Sequence, residues 1–184
     1  MGLAGRFYCV SHEIWIVYIS PTGWVPAMNL KDILQPDCIK VPLESIEKEA
    51  VITELVGVIA SQFELEDADA ILSAVLEREK IRTTGIGQGL AIPHCKSSEC
   101  GDRMLMAIGK PSEPIAFGSI DGNPVSLVIL LASPPDRTSE HIQVLAAISR
   151  LMLNDEFREA AFAVSSAEEL YELFTQREPT KAGI

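Results

Sequence analysis

The chain has 184 residues, of which 47% are hydrophobic and 22% are charged, so it is too apolar for a disordered protein. Its 15 Lys and Arg against 26 Asp and Glu give a net charge of −11, which would repel a nucleic-acid backbone or an anionic membrane surface. No apolar stretch reaches the roughly 18 to 20 residues of a membrane span. Four irregularly spaced cysteines predict free thiols, and we expect one compact cytoplasmic domain.

The first 27 residues differ in composition from the rest of the chain. They hold both tryptophans and two of the three tyrosines, and they fit neither a signal peptide nor a myristoylation sequence. Met28-Asn29-Leu30 resembles a natural start. We therefore interpret residues 1–27 as an N-terminal extension from a mis-assigned start and residues 28–184 as the domain. A genuine hairpin through Ser20-Pro21-Thr22-Gly23 is the alternative.

From Met28 onward, the pattern predicts alternating strands and helices. Short β-branched or apolar runs predict strands at residues 38–43, 90–93, 104–108 and 125–132. Apolar residues at helical spacing behind hydroxyl or acidic caps predict helices at residues 46–62, 67–80, 139–154 and 165–174. Ser45 and Asp67 are the expected caps of the first two helices, and a capping box opens the last one.

The run from Val125 to Ala132 is almost wholly apolar, which is typical of a central strand covered on both faces. We therefore expect an α/β fold in which helices flank both faces of a mixed sheet, giving three layers. The helix after this strand is expected to turn its apolar stripe inward, namely Ile142, Leu145, Ile148, Leu151 and Met152.

A glycine-rich stretch between the second helix and the third strand is the most unusual part of the sequence. It reads Thr84-Gly85-Ile86-Gly87-Gln88-Gly89-Leu90-Ala91-Ile92-Pro93-His94. Its spacing is not that of a dinucleotide fingerprint, and it lacks the Gly-Lys-Ser/Thr of a Walker loop. Glycine permits positive φ, so backbone N–H groups can converge on an anion. We expect this phosphoryl-pocket loop to use Thr84, Gly85, Gly87 and Gly89.

Two histidines and one arginine are candidates for phosphoryl chemistry. A neutral imidazole at His94 would offer a nucleophilic nitrogen, and His141 lies in the first turn of a predicted helix, where amide dipoles favour anions. Arg78 could present its guanidinium fork to phosphate oxygens. The alternatives are a structural loop histidine, a solvated helix-start histidine, and an exposed ion pair of Arg78 with Glu77 or Glu79.

Cys95 beside His94 raises the alternatives of a zinc site and a catalytic thiolate. The H-C-x4-C spacing with Cys100 lacks the paired knuckle of a structural zinc site. Adjacent residues of an extended segment point to opposite sides, which disfavours a Cys-His pair. We predict neither a metal nor a cofactor.

Residues 28–174 resemble the type-2 enzyme IIA domain of the bacterial phosphoenolpyruvate-dependent phosphotransferase system, the fructose/mannitol and nitrogen-regulatory class. The resemblance is carried by Glu77-Arg78-Glu79-Lys80, the stretch 84–94, and Glu140-His141-Ile142-Gln143-Val144-Leu145. It implies that His94 is the phosphorylated histidine through Nε2, with Nδ1 donating to an unidentified acceptor. It also implies that His141 is the second active-site histidine and that Arg78 lies near the phosphoryl pocket. Cys95 departs from the Gly or small residue more usual in the family.

The resemblance implies a phosphocarrier of sugar transport or nitrogen regulation. His94 would take a phosphoryl group from phospho-HPr, or from a paralogue of HPr, and pass it to a IIB partner or use it as a regulatory signal. The alternative is a degenerate IIA-like module that binds a protein partner without carrying phosphate. The presence of His94, His141 and Arg78 argues against that alternative, because a binding surface needs none of them.

Overall fold

The computed structural model describes residues 19–20, 23–24 and 30–176. Two short strands, β1 (Ile19–Ser20) and β2 (Gly23–Trp24), pair antiparallel. The rest of the predicted extension, the predicted start at Met28 and the last eight residues of the chain lie outside the described residues.

The main sheet of residues 30–176 is mixed. Its strands are β3 (Ile39–Leu43), β4 (Gly85–Gly87), β5 (Leu90–Ala91), β6 (His94–Lys96), β7 (Leu105–Pro111) and β8 (Leu127–Ser133). The hydrogen-bonded order is β3-β7-β8-β5-β4, and β6 also pairs with β8. Because β8 runs parallel to β5 and β6 but antiparallel to β7, the expected mixed sheet is confirmed.

Strand β8 is the centre of the sheet, as its sequence predicts, and all seven of its residues are buried. Successive side chains point to opposite faces, so Leu127, Ile129 and Leu131 join one apolar cluster while Val128, Leu130 and Ala132 join the other. Each large side chain buried in this way contributes about 1.5 to 3 kcal/mol. The strand therefore links the two halves of the core.

Helices cover both faces of the sheet, and the expected three-layer fold is confirmed. The face of Val128 packs against α1 (Lys48–Phe63) and α2 (Ala68–Ile81). The face of Leu127 packs against α3 (Thr138–Met152), α4 (Asp155–Ala163) and α5 (Ala167–Gln176). Among residues 30–176, no helix has the length and apolar character that crossing a membrane requires.

The helix termini follow local capping chemistry. The Asp67 carboxylate accepts from the backbone N–H of Ala70 at 2.9 Å, as expected of a cap. The predicted capping box of α5 is also present, since Ser166 Oγ accepts from the N–H of Glu169 at 3.2 Å. Ser45 is not the cap of α1, because the helix begins at Lys48 and Glu47 occupies the cap position without a side-chain cap hydrogen bond.

One expectation for the region after β8 is wrong, and one helix there was missed. The sequence predicts that Ile142 faces inward, but this side chain is 60% exposed, because the buried stripe of α3 is His141, Val144, Ile148 and Met152. Helix α4 was not predicted. It begins directly after α3 because the side chain of Asn154 caps it, accepting from the N–H of Phe157 at 2.9 Å.

Gly57 is an exposed residue in the middle of α1, and a substitution there tests how α1 packs on the sheet. A Cβ added there would meet nothing within 4 Å, so Gly57→Ala should raise the free energy of unfolding by about 0.5 to 1 kcal/mol by restricting the unfolded chain. Gly89→Ala is the control, because Gly89 has a φ of +76° and an added Cβ would lie 2.8 Å from Phe162. Urea denaturation should show stabilisation by the first change and destabilisation by the second, and a destabilised Gly57→Ala variant would contradict this packing.

Candidate functional site

The backbone around His94 fixes the position and the proton of its imidazole. Strand β6 pairs with the central strand in a register that sets His94 against Leu131. The half-buried ring places Nδ1 at 2.7 Å from the carbonyl oxygen of Ile92. A carbonyl can only accept, so Nδ1 carries the proton and Nε2 keeps its lone pair. The acceptor that the sequence left unidentified is therefore a main-chain group two residues upstream.

Cys95 lies on the opposite side of β6 from His94, as alternation along a strand predicts. The thiol is 5% exposed and belongs to the core cluster under α1 and α2. Burial, reinforced by the neighbouring Cys100, raises the pKa of the Cys95 thiol to about 12. A thiol of this pKa stays protonated at neutral pH, so Cys95 is a core residue and is neither a reactive thiolate nor part of the site rim.

His141 faces His94 from the first turn of α3. It is 5% exposed, and the centroids of the two imidazole rings are 5.4 Å apart with the planes tilted by 58°. Its Nδ1 lies 2.7 Å from the hydroxyl oxygen of Ser133. Burial first, and then His94, Lys96 and Arg78 as positive charges, lower the pKa of His141 to about 4. His141 is thus a buried, neutral imidazole and not a solvated helix-start residue.

Two cations lie near the histidine pair. The Arg78 guanidinium donates from Nη1 to the carbonyl oxygen of Arg82 at 2.9 Å, and the ion pairs found within residues 30–176 do not include Arg78. Lys96, which the sequence analysis missed, follows His94 by two residues and so lies on the same side of β6. Its Nζ lies 2.5 Å from the hydroxyl oxygen of Thr138 in the first turn of α3. Strand alternation alone could have identified Lys96.

The pKa of His94 is lowered as well. Burial is the largest cause and the charge of Arg78 adds to it, while the hydrogen bond to Ile92 and the charge of Glu79 oppose it. Both imidazoles are therefore neutral near pH 7, beside the basic side chains of Arg78 and Lys96. This arrangement suits a group that carries negative charge on several oxygens.

Glu79 anchors the loop that leads to His94, although the sequence analysis treated it as an exposed partner of Arg78. Its buried carboxylate accepts from the N–H of Thr84 at 3.0 Å and from the Thr84 hydroxyl, and it pairs with Lys48 Nζ at 2.5 Å. Burial opposes its ionisation, but these hydrogen bonds outweigh burial and lower the pKa of Glu79. The carbonyl of Thr84 in turn accepts from the N–H of Ile92 at 3.0 Å. The carboxylate therefore holds, through Thr84, the segment between β5 and β6 whose Ile92 carbonyl orients His94.

Two of the N–H groups that we expected to bind an anion, in the glycine-rich loop, already have partners within the protein. The N–H of Thr84 is taken by Glu79, and that of Gly85 lies 3.2 Å from the hydroxyl oxygen of Thr83. Gly87 and Gly89 have positive φ, but they lie at the tip of the hairpin, against Asp121 and Phe162.

The tip of this hairpin is also distant from His94. Strand β5 begins with Leu90 opposite Leu127, whereas His94 is opposite Leu131. Four residues of strand separate these positions by about 13 Å. The structure therefore brings together His94, His141, Arg78 and Lys96. It places Gly85, Gly87 and Gly89 in the hairpin of β4 and β5, with Thr84 directly before it.

Replacing Glu79 by glutamine tests the anchor. The amide can still accept from Thr84, but Lys48 loses its charged partner, so the free energy of unfolding should fall by about 1 to 3 kcal/mol. Glu77→Gln on the exposed side of the same helix is the matched control and should stay within about 0.5 kcal/mol of the wild type. Equal urea midpoints for the two variants would contradict the anchoring role.

The lowered pKa of His141 predicts a pH dependence of stability. Between pH 6.5, its ordinary pKa, and about 4, the unfolded chain binds a proton at this residue that the folded chain does not. The free energy of unfolding should therefore fall as the pH is lowered through this window, by up to about 3 kcal/mol. Urea denaturation at several pH values should show a shallower fall for His141→Gln. Parallel curves for the two proteins would contradict the assigned pKa.

Comparisons with known proteins show which family the chain resembles in sequence and fold. Residues 32–177 match the family described as "Phosphoenolpyruvate-dependent sugar phosphotransferase system, EIIA 2". The chain is 32% identical over 150 residues to a nitrogen regulatory protein of Klebsiella oxytoca, covering 82% of this chain and 92% of that one. The crystal structure of nitrogen regulatory protein IIA-Ntr from Neisseria meningitidis superposes with a TM-score of 0.73 at 32% identity, covering 79% of this chain and 99% of that chain.

A longer relative shows the same similarity in part of its sequence. The chain is 32% identical over 151 residues to the PTS system fructose-specific EIIABC component of Bacillus subtilis (strain 168). The match covers 82% of this chain but 24% of that protein. The similarity therefore extends over about a quarter of that relative's length.

Proposed function

The chain belongs to the EIIA 2 family of the phosphoenolpyruvate-dependent sugar phosphotransferase system, and from that membership we propose that it is a phosphocarrier with Nε2 of His94 as the acceptor atom. The observation that carries the proposal is the hydrogen bond from Nδ1 of His94 to the carbonyl of Ile92 at 2.7 Å. Because the proton of the neutral imidazole is on Nδ1, the lone pair is on Nε2. No general base is needed to deprotonate this nitrogen before it attacks phosphorus.

The transfer step follows from this tautomer. The Nε2 lone pair of His94 attacks phosphorus and forms an N–P bond, while the bond between phosphorus and the donor breaks and its electron pair leaves with the donor. The proton on Nδ1 stays in its hydrogen bond to Ile92 throughout. The reverse sequence on a recipient restores the neutral ring.

The charges around His94 suit the transition state of phosphoryl transfer. Negative charge spreads over the equatorial oxygens of the moving group, so a protein contributes mainly by positioning and by electrostatic stabilisation. Arg78 and Lys96 supply positive charge near the rings, and both lower the pKa of His141. Because His141 is neutral, it adds no third cation and can act as a hydrogen-bonding partner of the phosphoryl group.

We assign the partners by the same membership. The donor is phospho-HPr or a paralogue of HPr, and the recipient is a IIB component or, in a nitrogen-regulatory role, a target protein that responds to the phosphorylation state. These partners imply a cytoplasmic protein. A binding module without phosphotransfer would have no use for a neutral histidine pair flanked by two cations.

Phosphoryl labelling tests the acceptor. Incubation with phosphoenolpyruvate, enzyme I and HPr should add about 80 Da in an acid-labile form, the mass of one phosphoryl group. His94→Ala should take up no label. His141→Ala should still be labelled, because Nε2 of His94 is intact, but more slowly, because the hydrogen-bonding partner of the phosphoryl group is lost. Intact-mass spectrometry over time measures both, with circular dichroism to confirm folding.

Two outcomes would contradict the proposal. Wild-type labelling of His94→Ala would place the phosphoryl group on another residue. A wild-type protein that takes up no label from HPr or its paralogue, yet binds one of them, would favour the binding module.

A further inference from the structure

We propose that Ser133 is a positioning residue that holds His141 in the tautomer with its proton on Nε2, so that His141 donates a hydrogen bond to the phosphoryl group on His94. The inference rests on the proposed phosphocarrier function. It concerns a side chain that neither the sequence motifs nor the comparisons assign to the site.

Ser133 lies at the end of the central strand, with its hydroxyl in contact with the ring of His141. Ser133 is the last residue of the central strand β8 and is 0% exposed. It lies opposite Lys96 of β6, the strand that also carries His94. Its Oγ is 2.7 Å from Nδ1 of His141, which is a normal distance for a hydrogen bond to a hydroxyl.

The direction of this hydrogen bond follows from counting donors and acceptors. A neutral imidazole has one N–H, and His141 is neutral because its pKa is about 4. If Nδ1 carried the proton, it would donate to Ser133 and the hydroxyl hydrogen would need another acceptor. Among the residues that the structure describes, His141 is the one hydrogen-bond partner found for this hydroxyl. The arrangement that leaves no buried donor unpaired has the hydroxyl donating to Nδ1.

The direction matters for the chemistry, because Nε2 is the ring nitrogen of His141 that Ser133 does not engage. With its proton on Nε2, His141 can donate to an anionic oxygen of a group on the neighbouring ring, whose centroid lies 5.4 Å away. With its proton on Nδ1, the ring would turn a lone pair toward the same oxygens and repel them. The Ser133 hydroxyl thus decides whether His141 attracts or repels the phosphoryl group.

The first test reads the tautomer directly in the unphosphorylated protein. Long-range ¹H–¹⁵N NMR at pH 7 should show His141 protonated at Nε2, with Nδ1 as a hydrogen-bond acceptor. His94 provides the internal reference, since it should be protonated at Nδ1. A His141 protonated at Nδ1 would overturn the inference and would leave the proposed function of His94 untouched.

The second test uses variants of Ser133. In Ser133→Ala, the Nδ1 resonance of His141 should move toward that of a nitrogen without a hydrogen bond. The rate of phosphoryl transfer to His94 should fall by about 2- to 10-fold, as expected for the loss of one hydrogen bond, while the final extent of labelling stays the same. Ser133→Thr keeps the hydroxyl and should restore both the resonance and the rate.

Ser119→Ala is the matched control for removing a buried hydroxyl. Ser119 is 8% exposed, and its Oγ has no hydrogen-bond partner among the described residues, so the transfer rate and the His141 resonances should not change. If Ser133→Ala transfers phosphate at the wild-type rate with the His141 resonances unchanged, Ser133 has no positioning role. If wild-type protein takes up no label while NMR shows the expected tautomer, the failure lies with the proposed function.

Discussion

The hydrogen bond from His94 Nδ1 to the carbonyl of Ile92 is the interaction on which the site depends. It is short, partly buried and made with a backbone group, so the ring keeps one orientation and one tautomer. Its acceptor is itself held in place, because the N–H of Ile92 donates to Thr84 and Thr84 donates to the buried carboxylate of Glu79. Glu79 belongs to α2 and forms an ion pair with Lys48 at the start of α1. The support of the Ile92 carbonyl therefore comes from the two helices that cover the Val128 face of the sheet.

The central strand is the second element that organises the site. Its register with β6 places His94 opposite Leu131 and Lys96 opposite Ser133, so the acceptor ring, one cation and the partner of His141 are positioned by a single ladder. Helix α3 returns directly after this strand and brings His141 back over it. The histidines are far apart in sequence, and this connection between a strand end and the next helix brings them together.

Much of the fold was predictable because it rests on local patterns. The apolar run of β8, the caps at Asp67 and Ser166, and the order of strands and helices all follow from residue spacing. The burial of Glu79 and Ser133 was not predictable, because it depends on which elements pack over them. The rotation of α3 that exposes Ile142 was missed for a related reason: its sequence fits two adjacent apolar stripes, and only packing against the sheet selects one.

The two imidazoles differ in what fixes their protons, and this difference bears on how the site can change during evolution. For His94 the acceptor is a main-chain carbonyl, which every amino acid at position 92 would provide, so no single side-chain replacement there deletes it. For His141 the partner is one replaceable hydroxyl. Natural variation can therefore adjust the second ring independently, while the nucleophile remains tied to the course of the polypeptide itself.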